Sequence, residues 1–282
     1  MITLASPLVN SRPIAPQSVA RVAELRETIS ASRLNLWHQC RLKFYFRHVL
    51  NIRKAPSQAQ HLGRVVHSVL QAWNLARWRK EPFSLERFKA LLDRDWTEQQ
   101  KLEPIRWTDE EEKQRQLAWS LLETYFAQTP IPAGEKPLGV EVRAEADLSS
   151  HGLPTLRGIL DLVRAGGQIV DYKSAGKTPD AEKAAHLHET QTSSYAVLYR
   201  AATGAKETAI ELHHLVKLKT PKLIVTSVEP MSEKQETRLF RSIESYVDGL
   251  GRRDFVPSPG LHCSCCEYFN ECRDRCGQEG YG

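Results

Sequence analysis

The periodicity of the chain changes once, and that change sets what it can fold into. Up to Gln128 the apolar residues recur at helical spacing. Val66, Val69, Leu70 and Trp73 share one side of a helix over about 62–79, and a second helix covers about 84–101. A third begins at Thr108, where Thr108 and Glu111 match a capping box, and runs to about Gln128. Pro130, Pro132 and Gly134 end it. The pattern then alternates: GVEVRAEADL and TLRGILDLVR read as strands, Gly166-Gly167 as a tight turn, and QIVDYKS as a third strand, which together predict an antiparallel meander. A helix over about 180–202, strands near 208–218 and 223–229 and a helix over about 232–250 follow. The class is α/β in the α+β sense, a mixed sheet flanked by helices behind a helical N-terminal half.

Ser32 is placed to cap a helix running through RLNLWHQCRLKFYFRHVL, with Trp37, Cys40 and Phe44 at helical spacing. The Pro- and Ser-containing stretch before it, 1–31, reads as a flexible lead-in. The rest, 32–282, reads as one domain: a helical part over 32–135, a core over 136–230, and a last helix with a cysteine-rich tail over 231–282. The 282 residues are enough to bury a core without disulfides. No run approaches the roughly 20 apolar residues of a membrane helix, and the N-terminus lacks the basic region of a signal peptide. The expectation is a cytoplasmic protein with no membrane partner. A net charge of +5 permits nucleic-acid binding without demanding it.

Of six cysteines, Cys40 stands alone and Cys263, Cys265, Cys266, Cys272 and Cys276 crowd the end of the chain. An intracellular chain does not normally spend such a cluster on disulfides. Cys263-x2-Cys266-x5-Cys272 has ligand spacing, with Cys40 the fourth candidate. Four thiolates suit zinc or an iron–sulfur cluster, and spacing does not choose between them.

The sharpest chemical signal is Gly158-Ile159-Leu160-Asp161 followed one hairpin later by Asp171-Tyr172-Lys173. Asp161 and Asp171 on adjacent strands can share a face, and two carboxylates brought together are costly unless a cation lies between them. Oxygen ligands of this kind suit Mg²⁺ or Mn²⁺. Asp171 and Lys173, two apart on a strand, face one side. There a lysine can orient a water or neutralise a phosphoryl transition state. Taken alone, Asp-x-Lys is a common pair of strand-end surface charges. The apolar run Ile169-Val170 leading straight into Asp171 sets this one apart.

These motifs resemble those of the PD-(D/E)xK nucleases, in the RecB-like branch that includes the Cas4-like and AddB-like enzymes. The G-x-x-D strand and the D-Y-K strand are joined by G-x-x-x-H at Gly63–His67 on an upstream helix and by Q-x-x-x-Y at Gln191–Tyr195 on a downstream one. The resemblance covers nearly the whole chain from about Ser32 and implies a restriction-endonuclease-like core. It implies a Mg²⁺- or Mn²⁺-dependent deoxyribonuclease, in which His67, Asp161, Asp171 and the Tyr172 carbonyl hold the metal. Lys173 positions the attacking water, Gln191 and Tyr195 line the active site, and the products carry 5′-phosphate and 3′-hydroxyl ends. Glu141, on the preceding strand, sits where the family often has an acidic residue, although its alternation with Arg143 and Glu145 also fits a solvated face.

The same resemblance extends to the cysteines. Those nucleases carry one cysteine before the core and a C-x-x-C-x-(Tyr/Phe)-x-x-x-C tail after it, matched by Cys40 and by Cys263, Cys266, Tyr268 and Cys272. That implies a structural [4Fe–4S] cluster closing a very long loop. Cys265, beside Cys266, and Cys276 depart from the pattern and leave the register of the ligands open. Around Cys40, Arg41, Lys43 and Arg47 are interleaved with Tyr45, Phe44 and Phe46. Basic residues can neutralise phosphates and aromatics can stack on unpaired bases, while Phe44 and Phe46 read better as core. The implied reaction is exonucleolytic trimming of single-stranded DNA or strand ends in repair, recombination, phage or defence processing. With no Walker A loop in the chain, unwinding is expected from a partner helicase. The rival expectation is a catalytically idle DNA-binding scaffold with a structural iron–sulfur or zinc site.

Overall fold

A computed structural model describes residues 16–278. In chain order its elements are α1 (Pro16–Glu27), β1 (Thr28–Ile29), α2 (Ala31–Gln39), α3 (Arg41–Phe44), a π-helical turn (Tyr45–Val49), α4 (Gln58–Arg79), α5 (Leu85–Leu102), α6 (Glu111–Gln128), β2 (Gly139–Ala146), β3 (Thr155–Val163), β4 (Gln168–Ala175), α7 (Ala181–Leu187), α8 (Glu189–Thr203), β5 (Ala209–Val216), β6 (Lys222–Val228), α9 (Glu233–Gly251) and α10 (Phe269–Gln278). The chain divides into two compact units. One joins its two ends and a short central stretch, residues 1–54, 148–155 and 240–282; the other holds residues 55–147 and 156–239. Among the described residues no helix is long and apolar enough to cross a membrane.

The larger unit is built on a mixed sheet whose β2–β3–β4 part is the antiparallel meander that the alternation predicted. β2 pairs antiparallel with β3, β3 with β4, and β5 with β6, while β4 and β5 run parallel. Each connection follows from its length. Gly166-Gly167 closes the β3–β4 hairpin, with Gly167 at φ +80°, a conformation that side chains disfavour. A parallel pair needs a long crossover, and α7 and α8 provide it between β4 and β5.

α4 starts with a capping box that the sequence reading did not single out: Ser57 Oγ accepts from Gln60 N, and the Gln60 side chain accepts from Ser57 N. Its residues Leu62, Val65, Val66, Val69, Leu70, Trp73 and Ala76 form a continuous buried stripe. They pack with Phe88, Leu92 and Trp96 of α5, Leu121, Leu122 and Tyr125 of α6, and Val170 and Tyr172 of β4 in one core. On the sheet, Gly158 is where β3 meets α8: a Cβ there would lie 2.6 Å from Leu198 Cδ1.

The smaller unit has Trp37 at its centre. Its ring meets Phe44, Tyr246 and Phe255 edge-on at 5.3, 5.5 and 6.1 Å between centroids. The two ends of the chain are also joined by hydrogen bonds, from Tyr246 Oη to the Leu25 carbonyl and from Tyr268 Oη to the Ile52 carbonyl, at 2.9 and 2.8 Å.

Five local expectations change. α6 begins at Glu111, and Thr108 caps nothing, because the Glu111 carboxylate accepts from Trp96 Nε1 and Gln100 Nε2 of α5 instead of closing a box. The helix expected over 180–202 is two helices that meet at His188, which leaves helical geometry at φ −101°, ψ 6°. The helix expected through Cys40 breaks at that residue. Cys40 is extended, and its Sγ accepts from Lys43 N at 3.4 Å, so the thiol caps the following turn. Ser30, not Ser32, caps α2. The lead-in expected over 1–31 contains α1 from Pro16; residues 1–15 lie outside the described residues.

Gly158→Val tests the strand–helix contact. It should lower stability by about 1–3 kcal/mol, the usual cost of overpacking a filled core, read as a lower urea midpoint at unchanged slope.

Candidate active site

The functional side chains gather where the β3–β4 ladder stops. Its last pairs are Val163 with Ile169 and Leu162 with Val170; one more step of the same register would set Asp161 opposite Asp171. There the strands part. The Tyr172 N–H donates to Asp161 Oδ2 at 3.0 Å, so a side chain takes the place of a ladder partner. The Tyr172 carbonyl lies 2.8 Å from His67 Nε2 of α4, and His67 Nδ1 lies 3.5 Å from Asp161 Oδ2.

Glu141 completes this corner. The β2–β3 register pairs Val140 with Leu162 and Val142 with Leu160, which puts Glu141 across from Asp161. Its φ of +50° lies in the left-handed region, which costs a non-glycine residue of order 1–3 kcal/mol and is typical of positions held in place for function. His67, Glu141 and Asp161 bring ligand atoms within 4.8 Å of one another, the one such group of three or more His, Cys, Asp or Glu side chains among the described residues. Burial, and then the charge of Asp161, push the Glu141 carboxyl above its usual range. Burial likewise raises Asp161, with His67 acting against it and Asp171 reinforcing it. Two carboxylates that resist ionising together, beside an imidazole, form a place that gains from a cation.

Asp171 lives in a different environment. It is buried at 2% exposure, and its Oδ1 accepts from Gln191 Nε2 and Tyr195 Oη, both at 3.0 Å. Lys173 Nζ donates to Gln191 Oε1 at 2.7 Å and lies 2.7 Å from Asp171 Oδ2, an ion-pair contact whose angle makes no hydrogen bond. Gln191 Nε2 also donates to Tyr195 Oη at 2.7 Å. Gln191 and Tyr195, one turn apart on α8, therefore reach the Asp171–Lys173 pair as a unit. Burial and the nearby carboxylates push the Tyr195 hydroxyl far above its ordinary range, so it stays a neutral donor.

Two histidines that the sequence reading passed over flank Lys173. His214 is its partner in the parallel β4–β5 register and is buried, with its Nε2 unpartnered. Burial, then His188 and Lys173, lower it to about 4, so it is neutral near pH 7. The His188 ring, at the α7–α8 break, lies 6.1 Å from it.

The model of the PD-(D/E)XK nuclease superfamily matches residues 28–273. The chain belongs to the PD-(D/E)XK nuclease superfamily. A crystal structure of an exonuclease candidate from Eubacterium rectale superposes with a TM-score of 0.58 over 91% of this chain and 93% of that chain, at 13% identity, and so shares the fold. The structure of SSO0001 covers the same shares at 12% identity with a TM-score of 0.41. No curated protein matches the sequence.

PD-(D/E)XK nucleases are hydrolytic and use divalent metals, and the residues present fit one. The donors are two carboxylates and an imidazole at one corner. The Oδ2 of Asp171, buried without a hydrogen bond, is a further oxygen beside them. An oxygen-rich set with one nitrogen suits Mg²⁺ and Mn²⁺. Of the four ligands expected from sequence, His67 and Asp161 fall in this group with Glu141. The Tyr172 carbonyl borders it through His67, and Asp171 is engaged by Lys173, Gln191 and Tyr195.

The remaining sequence candidates lie in the smaller unit. Cys40, Cys263, Cys266 and Cys272 line one narrow cavity together with Phe46 and Tyr268. No three described thiols lie within 4.8 Å of one another, so they form no close ligand group. Cys265 is exposed and does not line the cavity; the side chain of Cys276 lies outside the described residues. Arg41 pairs with Asp254, and Lys43 pairs with Glu267 at 2.8 Å. The Tyr45 ring packs 4.7 Å from Phe255, and Arg47 is exposed. Phe44 and Phe46 are buried, as expected of core residues.

The grouping of Glu141 with His67 and Asp161 predicts that Glu141→Gln and Asp161→Asn each weaken Mn²⁺ binding about tenfold or more, measured by calorimetry on folded protein. An unchanged affinity in Glu141→Gln would remove it from the ligand set.

Proposed function

We propose that this nuclease is a Mg²⁺- or Mn²⁺-dependent deoxyribonuclease that trims single strands or frayed DNA ends. The observation that carries this reading is Lys173, held by Asp171 and Gln191 beside a corner where Asp161, Glu141 and His67 converge. A divalent ion bound there supplies Lewis-acid stabilisation of charge on the scissile phosphate. The protein groups do the rest. The Lys173 ammonium, fixed by two partners, is aimed to orient a water and to offset negative charge as it grows. Gln191 and Tyr195 hold Asp171 through Oδ1 and leave its Oδ2 to the Lys173 ammonium. His67, tied to the Tyr172 carbonyl, is held in register with Asp161.

The preference for single strands rests on the face around Cys40. With Arg41 and Lys43 already paired to Asp254 and Glu267, phosphate contacts fall first to Arg47, which is exposed and has no ion-pair partner among the described residues. A duplex must be unpaired before one strand enters a narrow site, a cost that a free end does not carry. Opening of long duplexes is left to a separate helicase.

The proposal includes a [4Fe–4S] cluster held by Cys40, Cys263, Cys266 and Cys272, supported by the cavity that all four line.

The test is cleavage of an end-labelled linear single strand, a blunt duplex and a closed single-stranded circle at fixed ionic strength, with Mg²⁺ or Mn²⁺. The linear strand should be cut fastest and the circle spared; rapid cutting of blunt duplex with little action on the linear strand would overturn the preference. Asp171→Ala and Lys173→Ala should each abolish cleavage in folded protein. Anaerobically purified protein should be brown. Cys40→Ala, Cys266→Ala and Cys272→Ala should bleach it, and Cys265→Ala should not. Colourless protein with stoichiometric zinc would defeat the cluster and leave the nuclease reading intact.

A further inference from the structure

The C-terminal end of α4 forms one wall of a cavity of about 870 Å³, within the size range of small-molecule sites. None of the catalytic residues lines it, and Arg77 is ten residues beyond His67 on the same helix, about 15 Å of helical rise. Three cations line it, Arg77, Lys80 and Lys136, and none has a carboxylate partner among the described residues. The one acid in the lining, Glu81, is already paired with Arg79 and Arg87. Arg77 is half-buried yet donates only to neutral oxygens: Asn74 Oδ1 at 3.2 Å, and the carbonyls of Pro132 and Glu135 at 2.7 and 2.9 Å. Its Nε is buried without a partner. Burial lowers the Arg77 guanidinium, and the Glu135 carboxylate, itself paired with Arg164, offsets this only in part, so an anion in the cavity would stabilise the charged form.

Three aromatic rings stand beside these cations, and the 129–134 turn completes the wall. Trp73 lies under the Arg77 guanidinium at 4.7 Å, Phe126 packs 5.5 Å from Trp73, and Phe83, 54% exposed, stands 5.5 Å from Phe126. An exposed phenylalanine at the mouth of a cationic cavity offers a flat apolar face beside an anion site, a combination suited to a ring joined to a phosphate.

We propose that this cavity binds one nucleotide unit, its base against Phe83 and Phe126 and its phosphate among Arg77, Lys80 and Lys136. The unit is either a free mononucleotide or the terminal residue of a strand, which present the same chemistry.

The test is calorimetric titration of the full chain with deoxyadenosine 5′-monophosphate in the presence of a chelator, so that no metal occupies the carboxylate site and no turnover takes place. Saturable binding at one site is expected, about tenfold or more tighter than that of deoxyadenosine or inorganic phosphate alone. The double variant Lys80→Gln/Lys136→Gln and the single variant Phe83→Ala, all at exposed positions, should each weaken it about tenfold with unchanged thermal melting. Asp171→Asn should leave it unchanged. Displacement of the mononucleotide by a short single strand assigns the site to strand ends, and failure to displace it assigns the site to the free nucleotide. Absence of saturable binding, phosphate binding as tightly as the nucleotide, or full affinity in both the lysine and the Phe83 variants would overturn the proposal. None of these outcomes depends on whether the chain cleaves DNA.

Discussion

The hydrogen bond from the Tyr172 N–H to the Asp161 carboxylate is the point on which the site depends. It ends the β3–β4 ladder one step before two acids would stand opposite each other, and it gives a buried carboxylate a donor that the chain cannot rotate away. The same residue anchors two other groups. Its carbonyl meets His67 at 2.8 Å, and its hydroxyl accepts from Asn74 Nδ2 at 2.8 Å inside the helical core. Tyr172 thus ties strand, helix and core together through three bonds. Burial raises its hydroxyl well above the ordinary range and keeps it neutral. The position of the metal-binding corner is therefore set by how α4 packs on β4, and core packing is the part of a fold with the least freedom.

Two carboxylates on neighbouring strands have been given opposite circumstances. Asp171 is buried but supplied with donors from α8 and a lysine on its own strand. Asp161 is buried with one backbone donor and the His67 imidazole 3.5 Å away, and half-buried Glu141 stands across from it. A protein selected for stability alone would remove the second arrangement, because two acids brought together in a partly buried corner are costly unless a cation lies between them. Its presence beside a strained backbone at Glu141, in a chain otherwise locally consistent, is the physical mark of a site built to receive a cation.

What was legible in the sequence was whatever depends on local spacing. The change from helical to alternating period gave the order of elements and the antiparallel hairpin. Gly63–His67, Gly158–Asp161, Asp171–Lys173 and Gln191–Tyr195 could be read because each is a short run within one element. Glu141 was harder. Its alternation with Arg143 and Glu145 is that of an ordinary solvated strand face, and only a positive φ and the register with β3 distinguish it. The breaks at Cys40 and His188 carry no proline or glycine and leave no mark in the periodicity. The basic residues near Cys40 were visible as charges, but Asp254 and Glu267, which neutralise Arg41 and Lys43, lie more than two hundred residues away.

That long-range pairing bears on why the cysteines stand where they do. The smaller unit is assembled from chain ends separated by the whole of the larger one, so closing it confines a very long loop. On a chain-entropy basis a cross-link over such a length restricts the unfolded state by about 5 kcal/mol. Trp37 packed on Tyr246 and Phe255, and Tyr268 bonded to the Ile52 carbonyl, already work against that entropy, but each is a contact that can open singly. Cys40 breaks a helix and shares a cavity with three cysteines of the tail. Apolar packing needs no such break, since Trp37 and Phe44 on either side are fully buried without one. The break has a local cause, the Lys43 N–H donating to the Cys40 thiol at 3.4 Å, and it leaves that sulfur in the cavity that the three tail cysteines share. On the proposed reading, in which these four thiols hold a cluster, the two ends of the chain would be joined by bonds strong enough to make the unit close as one.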